Sequence, residues 1–312
     1  MSRRSLLVCA ASRRTGPALA VAAGLLVLLV PGPARAAEPV LDWNARAVSA
    51  LLAAGTTPIP NLGQAPTVQA LHMAMTQGAV YDAVNSIDKT HEPYLVGLAP
   101  APASASTAAA VATAAHHVLT GLTPALPAAA RDGLDAAYVS ELAAIPAGAA
   151  KSAGAAAGAA AAAAMLDARA DDGRYGTFTF STGTGLGEWA PTSGLNDPSA
   201  WVARVRPFAL ESRSQMRTDG PLPVGGAAYA EEYDEVLRLG RFDSPDRSAR
   251  QTAIALFYSS NPIELWNRTL RDITAGDGTV AQARLFAMAT MAGADSLITT
   301  WDDKEVWSFW RP

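Results

Sequence analysis

The sequence predicts an all-α protein, a helical bundle interrupted by one long Gly/Pro-rich loop. Three observations carry this: alanine is abundant, β-branched residues rarely run together, and apolar residues recur three and four apart rather than in strict alternation. Amphipathic helices show that pattern, whereas half-buried strands alternate with a period of two. The bundle is expected to be incomplete at its C-terminus.

Residues 1–36 read as a secretory signal peptide. Arg3, Arg4, Arg13 and Arg14 precede any acid, an apolar run follows from Leu19 to Val30, and Ala34-Arg35-Ala36 is a small-residue cleavage site. The apolar run is shorter than the ~20 residues a membrane-spanning helix needs, so no stable membrane anchor is expected after cleavage. The paired arginines after Ser2 and Ser12 leave both the general and the twin-arginine export routes open. Either route implies a secreted or periplasmic protein. Cleavage would remove five arginines and no acid, leaving 19 basic against 28 acidic residues. Such a chain has no global attraction for nucleic acid, so any anion site must rest on a local cluster of cations. The only cysteine, Cys9, lies in the signal, and disulfides are therefore excluded from the mature chain.

Residues 37–172 form the N-terminal helical region. A helix is predicted over 67–88, with Thr67 as its cap and Val68, Leu71, Met75 and Ala79 on one face. Two more are predicted over 105–120 and 126–145. The alanine-glycine tract 147–170 reads as a tightly packed helix stopped at Gly173, since alanine has the best helix propensity and small side chains permit close approach. Residues 173–207 are the long loop. Its Gly183-Thr184-Gly185-Leu186-Gly187 run lacks the strand, the helix and the lysine of a phosphate-binding loop. In the region 208–312, helices are predicted over 227–239, from a Ser244-Pro245 start, from Asn261-Pro262 to about Thr274, and from about Thr279 to the end. Ala283, Met288 and Ala292 are expected on the inner side of the last one.

The usual catalytic groups are sparse. The four histidines, His72, His91, His116 and His117, have no metal-ligand spacing, and none follows residue 117. His72 reads as a hydrogen-bonded core residue, and the adjacent pair His116-His117 points two ways on a helix. No metal-cation site and no nucleophile elbow is expected. The last residues differ. Lys304 and Arg311, seven apart, would lie about 20° apart on one helix and ~10 Å apart along its axis, close enough for both to reach one oxyanion. Arginine offers a planar fork and lysine a compact charge. Pro312 disfavours helical geometry at Arg311, which places the arginine at the helix end. Trp301, Trp307, Phe309 and Trp310 would bury this segment. By spacing alone the pair is weak, because two cations so placed are common on solvated faces.

Lys304, six residues and then Arg311-Pro312 resembles the first motif of the vanadium-dependent haloperoxidase and type 2 phosphatidic acid phosphatase superfamily. The surroundings, Ala289 to Pro312, are similar to its bacterial secreted haloperoxidase-like group. So are Leu71-His72-Met73-Ala74-Met75, Tyr81-Asp82-Ala83-Val84-Asn85 and Trp266-Asn267-Arg268. The resemblance implies that Lys304 and Arg311 bind the oxygens of vanadate or phosphate. It also implies a Pro-Ser-Gly-His motif for acid-base work, and a Ser-Arg motif followed six residues on by the histidine that bonds vanadium or attacks phosphorus. Neither occurs here: Ser193-Gly194 is followed by Leu195, and Ser212-Arg213 has no histidine after it. The chain is therefore expected to be the N-terminal part of a vanadium-dependent haloperoxidase-like oxidoreductase, oxidising halide with hydrogen peroxide, truncated and inactive as given. The alternatives are a phosphatase of the same superfamily, if completed, and a non-catalytic exported protein. The expected partners are a small anion and, through the apolar face of residues 283–310, a C-terminal partner chain or a second copy of this one.

Overall fold

The computed structural model describes residues 38–54, 66–192 and 194–311. The signal peptide expected over 1–36 and the terminal Pro312 lie outside the described residues. Among them the secondary structure is helical, with one isolated antiparallel bridge.

The centre of the protein is α2 (Pro66–Asp88), in which nearly every residue from Thr67 to Ile87 is buried. A helix apolar on all sides must be wrapped by others. Five do so: α1 (Pro39–Ala54), α3 (Thr107–Thr120), α5 (Ala149–Ala168), α8 (Pro262–Thr274) and α9 (Thr279–Trp307). Trp43, Leu71, Met75, Leu119, Met165, Phe286 and Ile298 fill the shared core. α4 (Ala128–Ala144) lies outside α3 and buries only Leu134. α6 (Ala227–Gly240) and α7 (Ala249–Tyr258) bury no residue at all.

The alanine-glycine tract packs as the sequence predicts. Gly154 and Gly158 bring the backbone of α5 onto Ser106, Ala110 and Ala114, where an added Cβ would collide with main-chain oxygens. Ser106 caps α3 by accepting from Ala109 N at 3.2 Å. At α8, Asn261 caps and Pro262 takes the first helical position.

Four expectations need correction. α1 has no counterpart in the sequence reading. Thr67 lies inside α2 rather than capping it, because Pro66 is already helical. The cap of α7 is Ser248, in a reciprocal capping box with Gln251, whereas Ser244 closes the preceding turn. On α9, Ala283 does face inward, but Met288 and Ala292 are exposed, and Phe286, Ala287, Met291, Ala294 and Ile298 make the inner stripe.

The segment between α5 and α6 holds a short 3-10 turn, Ala200–Arg204, whose Trp201 and Val202 are buried. Just downstream of it, residues 208–210 are fixed to α9 by one carboxylate. Asp295, buried, accepts from Phe208 N (2.6 Å), Ala209 N (2.8 Å) and Leu210 N (3.0 Å). Three backbone amides on one charge are charge-assisted bonds, each stronger than a neutral pair. Asp295→Ala would strand those amides, and the expected destabilisation is about 3 kcal/mol or more. Urea unfolding would measure it; a loss under about 1 kcal/mol would contradict the anchoring role.

Candidate oxyanion site

α9 does not run to the end of the chain. Ser308 adopts a left-handed conformation (φ 41°) and returns its N–H to Lys304 O at 3.1 Å, stopping the helix at Trp307. The chain then straightens and pairs with the Gly-rich run: Trp189 N donates to Ser308 O (2.8 Å), Trp310 N donates to Gly187 O (3.0 Å), and Glu188 and Phe309 form the antiparallel bridge. Gly187, at φ 85°, supplies a conformation other residues adopt with strain. The phosphate-loop reading of this run fails on geometry as well as on motif. Thr184 N and Gly185 N are both taken by Glu188 Oε2, at 3.0 and 2.7 Å.

Lys304 and Arg311 are therefore not two turns of one helix, as their spacing suggests. Lys304 is in the last turn of α9 and half-buried, with Nζ 3.3 Å from the centroid of the Trp301 ring. Arg311 lies beyond the break and is exposed. Burial lowers the lysine's pKa; the charge of Asp197 opposes that effect, and the charge of Arg311 adds to it. Arg311 lines a cleft of about 460 Å³ whose wall is Trp189–Thr192 and Leu195–Pro198. Neither cation makes a salt bridge among the described residues. The aromatic cover expected around them is partial: Trp301, Phe309 and Trp310 are half-buried, but Trp307 is 39% exposed.

The acids in the last turns of α9 are engaged by the chain upstream. Asp302, fully buried, holds Arg213 Nε at 3.1 Å and Arg217 Nη2 at 2.6 Å. Glu305 pairs with Arg204, and Asp303 accepts from Thr218 Oγ1 at 2.8 Å. Arg213, half of the Ser-Arg dipeptide, is thus committed to a structural ion pair. Sequence reasoning missed these partners because each is more than 80 residues from its carboxylate.

None of the four histidines lines the cleft. His72 is buried on α2 with Nε2 3.1 Å from Tyr175 Oη, as a core histidine should be. His116 Nε2 meets Asp135 Oδ1 at 2.6 Å, His117 packs edge-on to Tyr138, and His91 Nδ1 bonds Thr90. No cluster of three metal-ligating side chains occurs among the described residues.

The fold is that of a vanadium-dependent peroxidase. It matches the crystal structure of a bacterial vanadium-dependent iodoperoxidase with a TM-score of 0.69, over 90% of this chain and 72% of that one, at 18% sequence identity. No family model matches the chain, and no curated protein does. The match shows a shared helical fold.

His72 generates a prediction. Burial, helped by the charge of Arg174, lowers its pKa from 6.5 to about 3. Below pH 6.5 the unfolded chain binds a proton that the folded chain refuses, so stability falls as pH drops toward about 3. His72→Gln should flatten the stability–pH slope in that window by about 1.4 kcal/mol per pH unit. Denaturant melts at stepped pH check it; an unchanged slope would contradict the burial of a neutral imidazole.

Proposed function

We propose that the cleft beside the end of α9 binds a tetrahedral oxyanion, and that this chain is the oxyanion-binding part of a haloperoxidase-like oxidoreductase. The observation that carries the reading is the placement of two unpaired cations on either side of the helix break, one of them lining a cleft. Lysine's flexible stem lets Nζ leave the Trp301 ring for an anion, and the arginine fork can take two oxygens.

These residues fit the oxygens of vanadate as well as those of phosphate. Bound vanadate would supply the activation of peroxide for halide oxidation, with Lys304 and Arg311 holding its oxygens. They do not fit its covalent ligation, because no imidazole lines the cleft and no histidine follows His117 in the sequence. No step is therefore assigned to vanadate, and the 312 residues by themselves are proposed to bind anion without turnover. A phosphatase on the same scaffold is the second reading, supported by the shared geometry of the two anions.

Calorimetric titration with orthovanadate and with phosphate tests this. Lys304→Ala and Arg311→Ala should each weaken binding by roughly tenfold to a hundredfold, the worth of a charge-assisted hydrogen bond. Equal affinity in both variants and the parent would remove the cleft from consideration. Halide oxidation by the chain alone with added vanadate would contradict the binding-only reading.

A further inference from the structure

The cleft contains a group that no anion site needs for charge. Asp197 lines it together with Arg311, and its negative charge is felt by Lys304. One carboxylate oxygen, Oδ1, is occupied by Ser199 N at 2.8 Å, which fixes the side chain ahead of the Ala200–Arg204 turn. The other, Oδ2, accepts no hydrogen bond among the described residues. The neighbouring polar side chain, Asn196, is used up on Phe180, to which it donates at 2.8 Å and from which it accepts at 3.1 Å. Among the described residues of the wall, Asp197 is thus the one carboxylate, and it has a free oxygen in the same cleft as Arg311.

An ionised carboxylate only accepts hydrogen bonds. Facing a fully deprotonated anion, it presents charge against charge with no proton between them. Facing an anion that still carries an O–H, it gains a hydrogen bond while the two cations hold the remaining oxygens. A site built to pair with a hydroxyl rejects the analogue that lacks one, because its own acceptor is left unpaired. We propose that Asp197 makes this cleft selective for protonated oxyanions, such as hydrogen phosphate, hydrogen vanadate or the monoanion of a phosphomonoester, over fully ionised tetrahedral anions such as sulfate. The inference rests on the oxyanion reading of the same cleft and adds to it which class of anion enters. Two cations and one carboxylate leave a local charge of plus one, enough to attract the anion without accepting every one.

The test is calorimetry of the full chain near neutral pH, at constant ionic strength, with inorganic phosphate and with sulfate. The parent protein is expected to bind phosphate at least tenfold more tightly than sulfate. Asp197→Asn keeps an oxygen for Ser199 N, so the turn survives, and its amide N–H can donate to sulfate; the variant should gain sulfate affinity and lose most of the discrimination. Equal binding of both anions by the parent overturns the selectivity while leaving the oxyanion site standing. So does discrimination that persists in Asp197→Asn. Binding of neither anion removes the site and this inference with it. The comparison in the parent protein decides even if the variant does not fold.

Discussion

Everything around the cleft depends on how α9 spends its buried acids. Asp295 and Asp302 are seven residues apart, so they share a face and lie ~10 Å apart along the helix. Asp295 gathers three amides of residues 208–210, and Asp302 gathers Arg213 and Arg217. A buried charge left without partners is penalised by several kcal/mol, so these contacts are obligatory for the fold. They lay the chain from Phe208 to Arg217 along one side of α9. Lys304 is left on the other side with no salt bridge among the described residues, near enough to Asp197 to feel its charge.

The same device recurs around the rest of the core. Asp82 on α2 accepts from Tyr94 N and Leu95 N, at 2.7 and 3.0 Å, and ties down the connection to α3. Burial pushes its pKa up to about 6, and the two amides only partly oppose that. Arg169, at the end of α5, donates to Arg206 O (2.6 Å) and Pro207 O (3.1 Å) and stacks on Phe208. The long irregular segment is thus not loose packing. At residues 206–210 its backbone is satisfied by charged side chains projecting from the helices.

Local rules carried much of this into the sequence. α2, α5 and α8 were legible because apolar periodicity, an alanine-glycine tract and an Asn-Pro start act within one helix. α1 was missed although Pro39 at its first position and Asp42 in its first turn are both start signals. The end of α9 was misplaced because a serine, not a glycine, takes the left-handed position, so nothing in the residue types marks the stop. Lys304 and Arg311 could be named from a motif. Their real relation, across a helix break and against a wall made by Trp189 and Asp197, could not, because that wall is supplied by residues more than a hundred positions upstream. Helical periodicity says nothing about such pairings, and the Asp302 ion pairs escaped notice for the same reason.

A crystal structure of the chain grown in phosphate tests the central claim most directly. The account predicts tetrahedral density in the cleft, within hydrogen-bond reach of Lys304 Nζ and the Arg311 guanidinium, with the lysine lifted from the Trp301 ring. Phosphate bound only elsewhere, with Lys304 still on Trp301 and Arg311 directed to solvent, would contradict it.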